Sequence, residues 1–572
     1  MFLISWNVAG LSTTFKRIQA DYSQQNVDAN PTNKKLPCNH SLSYYFERHG
    51  SPDIICLQEH KIPLTQLRSR SEPISASSIE GYESFWSCCV DPKRKGLNGT
   101  VTYAKTGTVA SANGKPFDNS ELDNQGRCVM TDHGRFVVFN VYVPANGGMS
   151  LQYKIRFLQA LRKAMKEQRE MGKKVVLVGD LNISHKGEDV HWSRRMIHVP
   201  SIIQELKSLK MDQAKEQSSI QKWKTDLYGC WDKIKGALST IEAVPVTTKN
   251  ITTGTTFEKF RSKVTIIEGN KSIFIGNSES TKEDALACFF FPRQTFLDET
   301  LQKEVVCQEE NSIPLGTLIE LMSKIGKVDW NESTVQVIAQ SPEALSKSSP
   351  TIDWFNTILE SDKMIDTFRF LYPDVRGRFT CWNQQFNRRF ENIGSRIDYA
   401  IIDSSIREYL DNGLDQNLRC CNLDNTQSYG TDEAALHAAT ASGQFQGAGF
   451  GGGGISSVSQ KVLDTQFGAR HTGIIYTPPS YSDHVAISLL LKEEWGKDHL
   501  RRDLTLTSDS ATKRSQPHKG QQKISSFFGT EVPNNLGTSV KRKLSSTDKQ
   551  NKKSASLNKK KGILRHFGSS VK

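Results

Sequence analysis

Short apolar runs that each close on a polar residue constrain this chain more than any other feature. Phe2-Leu-Ile-Ser-Trp6 runs into Asn7, Ile54-Ile-Cys-Leu-Gln58 into Glu59, and Val175-Val-Leu-Val178 into Gly179-Asp180-Leu-Asn182. Tyr142 sits near the end of the run 136–143, and Asp398 lies inside the otherwise apolar Arg396-Ile-Asp-Tyr-Ala-Ile-Ile402. Asp483-His484 leads directly into Val485-Ala-Ile-Ser-Leu-Leu490. Each run reads as a buried strand. A polar side chain buried there costs free energy unless it finds partners, so several together point to a pocket in which they satisfy one another.

At 572 residues the chain exceeds one typical domain, which predicts a large catalytic body with appended material. No stretch of about 18 apolar residues exists, so no membrane span is expected. The residues from Trp495 to Lys572 hold 18 Lys and Arg against 5 Asp and Glu, and therefore carry the whole net charge of +13. The remainder is neutral and must hold any polyanion with local patches. The eleven cysteines show no C-x-x-C spacing, and the adjacent pairs Cys88-Cys89 and Cys420-Cys421 suit neither zinc nor disulfides. They read as free thiols in a reducing compartment.

Alternating strand and helix patterns divide the chain. Residues 1–203 and 351–494 read as one catalytic domain, in which Leu151–Met171 is an amphipathic helix before a central strand. Residues 204–350 read as a partly ordered insertion of unknown role. Residues 410–470 read as a second insertion whose run Ser442-Gly-Gln-Phe-Gln-Gly-Ala-Gly-Phe-Gly-Gly-Gly-Gly454 is a flexible loop, because no Lys-Ser/Thr and no strand–helix frame follow it. Residues 495–572 are Ser/Lys/Thr-rich and are expected to be a disordered basic tail.

The polar set has a chemistry. Alternation by two puts Asp180 and Asn182 on one face if the strand persists. A buried Asp398 needs a donor, for which His484 is the candidate, and an Asp that holds an imidazole in one tautomer and keeps it charged is a recurrent catalytic arrangement. Glu59 could ligate a hard cation or simply be solvated. Acids, amides, one His and one Tyr at strand ends suit metal-assisted hydrolysis of a phosphodiester, with Mg²⁺ favoured by all-oxygen ligands and Mn²⁺ also suitable.

In this order, Ile4-Ser-Trp-Asn-Val-Ala-Gly10, Cys56-Leu-Gln-Glu59, Asn140-Val-Tyr142-Val-Pro144, Gly179-Asp-Leu-Asn-Ile-Ser-His185, Phe368-Arg-Phe-Leu-Tyr-Pro373, Thr380-Cys-Trp382, Ser395-Arg-Ile-Asp-Tyr399 and Ser482-Asp-His484 resemble the exonuclease III-type AP endonucleases of the endonuclease/exonuclease/phosphatase superfamily. The resemblance covers residues 1 to about 200 and about 350 to 494. It implies a four-layered α/β sandwich of two packed mixed β-sheets flanked by helices, and a DNA-repair nuclease. The implied activities are cutting 5′ to abasic sites and 3′-phosphodiesterase and 3′→5′ exonuclease cleaning of blocked ends. By the same resemblance Asn7 and Glu59 hold the Mg²⁺ with Asp483 close by. Asp180 takes the proton of the attacking water, Asn182 orients that water, His484 held by Asp398 contacts the scissile phosphate, and Tyr142 donates to the phosphate or leaving group. In a two-metal mode Asp180, Asn182 and His484 become ligands.

Departures accompany the match. Ala9 stands where many relatives carry an acid, and the Asn expected after Pro144 is displaced to Asn146. Ser395 and Cys381 replace aromatic residues of the abasic-sugar pocket, leaving Trp382, Phe386 and Ile397 as an apolar wall. A smaller wall implies weaker capture of a flipped sugar and more 3′-end processing. A deadenylase of the same superfamily and a clamp-tethered scaffold without catalysis are the alternatives.

In the tail, Gln521, Ile524, Phe527 and Phe528 have the spacing of a PCNA-interacting peptide: three apolar residues on one helical turn with a Gln beside them. Lys541-Arg-Lys543, Lys552-Lys553 and Lys559-Lys-Lys561 read as nuclear localisation clusters or DNA-tethering charge, and Ile563–Phe567 as a weaker docking motif. Body and tail together resemble the second eukaryotic class of AP endonuclease. That implies a nuclear, monomeric enzyme acting on damaged double-stranded DNA and bound to the PCNA sliding clamp.

Overall fold

The computed structural model describes residues 1–27, 42–68, 79–145, 151–208, 219–249, 256–266, 271–279, 294–298, 303–308, 312–328, 349–413, 470–500, 508–509 and 512–514, apart from positions 44, 48, 93, 95, 327, 374–376, 384–388, 390–391, 476 and 479. Its body is built on β1 (Phe2–Asn7), β2 (Ile54–Gln58), β3 (Tyr82–Ser87), β4 (Thr100–Lys105), β5 (Ser111–Asn113), β6 (Cys128–Asp132), β7 (Phe136–Tyr142), β8 (Lys174–Asp180), β9 (Met364–Asp366), β10 (Asp398–Asp403), β11 (Leu410–Asp411), β12 (Gly473–Ile475), β13 (Ala486–Leu491), β14 (Ser508–Asp509) and β15 (Thr512–Arg514). One mixed sheet has the order β11-β13-β1-β2-β4-β3-β15, with β12 also on β13; the other has the order β9-β10-β8-β7-β6-β5-β14. β1 and β2 are parallel, as are β7 and β8, while β13 lies antiparallel to β1 and β10 antiparallel to β8.

Alternation along each strand sorts its side chains into two layers. Leu3, Cys56, Val138, Val176, Val178, Ala400, Ile402, Ile487 and Leu489 fill the space between the sheets. Phe2, Ile4, Trp6, Ile55 and Leu57 point the other way, against Leu11, Phe15 and Ile18 of the helix Leu11–Val27. On the second sheet Val137, Phe139, Val175 and Leu177 meet Leu158, Leu161 and Met165 of the helix Leu151–Glu170. The helix Pro350–Glu360 joins them through Phe355 and Ile358; Pro350 opens it and the Ser349 hydroxyl caps it by accepting the Ile352 N–H. Helix, sheet, sheet, helix is the four-layered architecture expected. Both faces of the central strands are covered, which is why their sequences read as unbroken apolar runs.

Three boundaries differ from the sequence expectation. The insertion has a core of its own: Trp223, Leu227, Cys230 and Ile234 of the helix Ser219–Leu238 pack with Val264 and Ile275 of a three-stranded antiparallel sheet and with Leu318 and Leu321 of the helix Leu315–Lys324. It closes where Ser312–Pro314 pairs with Met196–His198, so it begins near residue 196 rather than 204. The second insertion leaves the sheet after β11, and a bridge between Gly413 and His471 closes its base; the glycine-rich run itself lies outside the described residues. The body also does not stop at 494. Trp495 of the helix Glu493–His499 is fully buried, 5.6 Å from Phe136 and stacked on His499 at 3.9 Å, and β14 and β15 add to the edges of the two sheets. Gln521, Ile524, Phe527, Phe528, the basic clusters and Ile563–Phe567 lie outside the described residues. Among the described residues no helix is long and apolar enough to cross a membrane, and the described cysteines are free.

Candidate active site

The central strands of both sheets end at one place. Asn7 closes β1 and Asp180 closes β8; in register with Asp180 stand Tyr142, last in β7, and Asp398, first in β10. Gly179 makes this approach possible, since a Cβ there would sit 2.1 Å from the Val141 carbonyl oxygen. Just past the strand ends Ala9, Glu59 and Asn182 adopt left-handed backbone conformations, with φ of 48°, 53° and 51°. Non-glycine residues there are strained and persist only where the surroundings over-determine them. Asn182 is held three ways: its N–H donates to Asp180 Oδ1 (2.9 Å), its Nδ2 donates to the Val143 carbonyl (2.9 Å), and its own carbonyl accepts from Lys154 Nζ (2.7 Å).

Asn7 ties the two sheets together. Its Nδ2 donates to Glu59 Oε1 and to Asp180 Oδ2, both at 2.9 Å, while its Oδ1 accepts the Ala9 N–H at 3.0 Å. The amide therefore stands as a donor to two carboxylates, and the oxygen expected to ligate a cation is turned to the backbone of Ala9. Lys61 pairs with Glu59 at 3.0 Å and donates to the Ala9 carbonyl, bracing the position where relatives carry an acid.

His484 Nδ1 lies 2.9 Å from Asp398 Oδ2, and Nε2 lies 3.9 Å from Asp180 Oδ2. Burial opposes a charged imidazole, yet Cys381 and Asp398 beside it outweigh burial and hold its pKa well above the ordinary histidine value. Burial and the neighbouring Asp398 push Asp180 up to about 7, against the opposing pull of His484, Asn7 and the Asn182 N–H. Burial, Glu59 and Asp180 likewise raise the Tyr142 phenol, so it is a proton donor at neutral pH. Burial raises and Asn7 and Lys61 lower Glu59, with the net direction down.

Asp483 is partly exposed and stands beside Cys381 and His484; its Oδ1 lies 3.4 Å from the Ser482 hydroxyl, which donates to the Asn7 carbonyl at 2.7 Å. Ligand atoms of Asp180, Asp398 and His484 fall within 4.8 Å of one another, and the buried Asp398 Oδ1 has no hydrogen-bond partner. With Glu59 alongside, three carboxylates and one imidazole converge here, and the carboxylate oxygens suit a hard divalent cation.

The pocket wall differs from expectation. Trp382 is buried in the core between the sheets, donating its indole N–H to Asn392 Oδ1 at 3.2 Å, because the short pairing of Cys381–Trp382 with Gly394–Ser395 turns it inward. Ile397 is half-buried, and Phe386 and Asn146 lie outside the described residues.

Sequence reasoning did not find the ion cluster beneath the site. Arg396, fully buried, donates to both oxygens of Asp189 (2.8 and 3.0 Å) and of Asp366 (3.2 and 2.7 Å), and Arg369 adds a second guanidinium on Asp189 Oδ1. Although burial alone would raise it, Arg396 and Arg369 hold the Asp189 carboxyl well below the usual range. The cluster pins the loop after β8 to the start of β10, two residues before Asp398. Lys154 was missed too: it is buried on the apolar side of its helix, and burial lowers its ammonium to about 8. A lysine beside Ile155 on a core-facing stripe was the available signal.

A model of the endonuclease/exonuclease/phosphatase family matches residues 4–232. The chain is 28% identical over 244 residues to a DNA-(apurinic or apyrimidinic site) endonuclease 2 of Schizosaccharomyces pombe, covering 36% of this chain and 42% of that protein. It is 28% identical over 225 residues to the Homo sapiens protein of the same name, covering 33% and 40%. With both, the match spans less than half of the relative's length. The catalytic domain of Xenopus laevis APE2 aligns over 86% of this chain and 92% of its own at 16% identity and a TM-score of 0.39, too loose a likeness to bear on the fold.

Proposed function

From the match of residues 4–232 to the endonuclease/exonuclease/phosphatase family, we propose that the chain is a DNA-repair nuclease of that family that hydrolyses the phosphodiester 5′ to abasic sites and cleans blocked 3′ ends. The observation that carries this reading is the junction of the two sheets. There a buried carboxyl with its pKa near neutrality (Asp180), a charged imidazole clamped by a second acid (His484–Asp398) and a neutral phenol (Tyr142) surround one small space. A poised base, a cation for the phosphoryl oxygens and a proton donor are the parts that in-line attack of water on a phosphodiester requires.

Asp180 accepts the proton of the attacking water, and Asn182, fixed through Val143 and Lys154, orients that water. His484 places its positive charge against the scissile phosphate. Tyr142 donates toward the leaving oxygen, and the Arg127 guanidinium 4.7 Å from its ring centroid fixes the ring. Glu59, with Asn7 and Asp483 nearby, would hold a divalent cation, Mg²⁺ or Mn²⁺, which when bound supplies Lewis-acid stabilisation of the developing charge. Asn7 would have to turn its amide to ligate, trading the Ala9 N–H contact for the metal.

The tail reading is part of the proposal: Gln521, Ile524, Phe527 and Phe528 dock on the PCNA sliding clamp, and the basic clusters direct the protein to the nucleus. A gel assay with Mg²⁺ on duplexes carrying an internal abasic site, a blocked 3′ end at a nick and a recessed 3′ end tests the activity, with Glu59→Ala as control. Cleavage that Glu59→Ala abolishes is expected. Equal turnover by Glu59→Ala and the parent protein would remove the metal-assisted reading. A large preference for the internal site would remove the emphasis on 3′ ends. Stimulation by clamp, lost in Phe527→Ala/Phe528→Ala, is expected of the tail.

A further inference from the structure

One thiol faces the catalytic histidine, and the hydrolysis proposed above makes no use of its sulfur as a metal ligand. Cys381 is largely buried, and its Sγ, an oxygen of Asp483 and a ring nitrogen of His484 all lie within 4.8 Å of one another. The three residues sit on two segments that pair antiparallel. Cys381 bridges His484, the Trp382 N–H donates to the Asp483 carbonyl at 3.1 Å, and the Val485 N–H donates to the Thr380 carbonyl at 2.9 Å. Backbone pairing on both sides fixes where the three side chains start.

We propose that Cys381, Asp483 and His484 form a binding site for a thiophilic divalent cation, zinc first among them, whose occupation takes His484 and Asp483 out of the hydrolytic site. The donor set argues for that class of metal. Thiolate and imidazole select zinc, cobalt or cadmium, whereas magnesium takes oxygen ligands and gains nothing from sulfur. Bond lengths of about 2.0–2.3 Å in a tetrahedral site put ligand atoms roughly 3.3–3.8 Å apart, so closure from the present spacing needs side-chain adjustments of about 1 Å. Asp398 already holds His484 Nδ1, the carboxylate–histidine arrangement that orients an imidazole for a metal and leaves Nε2 to coordinate. Three protein ligands leave a fourth position for water, and the partly exposed Asp483 gives the ion a way in.

On binding, the Cys381 Sγ–H bond and the Nε2–H bond of the His484 imidazolium break, both protons leave to solvent, and Sγ–metal and Nε2–metal bonds form, with no electron transferred. Burial raises the free thiol, so the site fills only when a metal supplies the charge that stabilises the thiolate. The result is a brake: a nuclease loaded with magnesium is shut off by zinc competing for His484 and Asp483. Only this inhibitory consequence rests on the nuclease reading; the binding site does not.

The test uses the full chain, Cys381→Ser and Cys381→Ala, kept reduced without added thiols. Cobalt(II) alone is titrated in, and the near-ultraviolet thiolate-to-cobalt charge-transfer band is recorded. A band in the parent protein that both variants lose, and that zinc displaces, is expected. No band in the parent, or an unchanged band in both variants, overturns the site. In the abasic-duplex assay with Mg²⁺ each protein is scored against its own zinc-free turnover, and the variants should need about tenfold more zinc than the parent for half-inhibition. Equal zinc sensitivity in all three overturns the brake. If no protein cleaves DNA, the nuclease reading falls while the cobalt band still decides the site.

Discussion

The two sheets are built to one plan and equipped with different chemistry. In the first, β13-β1-β2-β4 pair antiparallel, parallel and antiparallel; in the second, β10-β8-β7-β6 do the same. Equivalent positions close the strands of the two sheets: Asn7 matches Asp180 and bonds it, Gln58 matches Tyr142, and His484, just before β13, matches Asp398 at the start of β10 and bonds it. The second sheet brings two buried acids that repel each other. The first brings the amide of Asn7 and the imidazole of His484, and its own acid, Glu59, is tempered by Lys61. Neither half would hold its groups in these ionisation states alone. The site is the place where the donors of one half offset the acids of the other.

The largest effect is expected from the second half. Asp180→Asn removes the proposed base and should lower single-turnover cleavage of an abasic duplex in Mg²⁺ by about 10³–10⁴-fold. It relieves repulsion with Asp398 at the cost of one of the two hydrogen bonds that the Asp180 oxygens accept, from Asn7 and from the Asn182 N–H. A loss of less than about tenfold would show that the asymmetry between the halves does not extend to catalysis. Next comes the ion cluster, which has no counterpart in the first half. Arg396→Met leaves Asp366 without a guanidinium and Asp189 with Arg369 alone, and should cost about 3–5 kcal/mol of stability, read as a lower urea midpoint of unfolding. An unchanged midpoint would mean that the pinning of the loop after β8 contributes nothing.

Crossing the junction, Asp398→Asn leaves His484 its ring position but removes the charge that favours imidazolium. Turnover should fall by about 10²-fold and the imidazole should titrate at lower pH, read from its ring-proton NMR shifts. A histidine that still titrates as in the parent would show that Asp398 is not the counter-ion that holds its charge, which would take that coupling out of the junction.

What the sequence made legible follows from range. Asn7, Glu59, Asp180 and His484 each announce themselves locally, by ending or preceding an apolar run; the runs mark buried strands, while the four-layered arrangement came only with the resemblance to the family. Arg396 sits in a quoted motif, but its partners Asp189 and Asp366 are 207 and 30 residues away, and nothing in the spacing joins them. Trp223, Leu227, Cys230 and Ile234 do repeat at helical spacing, so the insertion's core was readable; intervening lysines and polar residues diluted it. Trp495 and His499, one turn apart, carried the body past 494 in the same way.

The smallest expected effect tests the offset itself. Asp180 has its pKa raised from the ordinary carboxyl value of 3.8 to about 7 in the folded protein, so protonated Asp180 is the form that folding favours. Its contribution to stability is fully present below pH 4 and is lost as pH rises through 7, at no more than about 1.4 kcal/mol per pH unit for one proton. Metal-free protein should therefore lose urea stability between pH 5 and 8 relative to Asp180→Asn, and Mg²⁺ should restore it at pH 8, where the carboxylate can bind the ion. Catalysis runs the other way, since only the deprotonated base accepts a proton, so turnover at limiting Mg²⁺ should rise with pH over the same range. If the parent and Asp180→Asn show parallel stability profiles, the donors of the first sheet offset the acids of the second completely, and the junction holds both carboxylates charged without a metal.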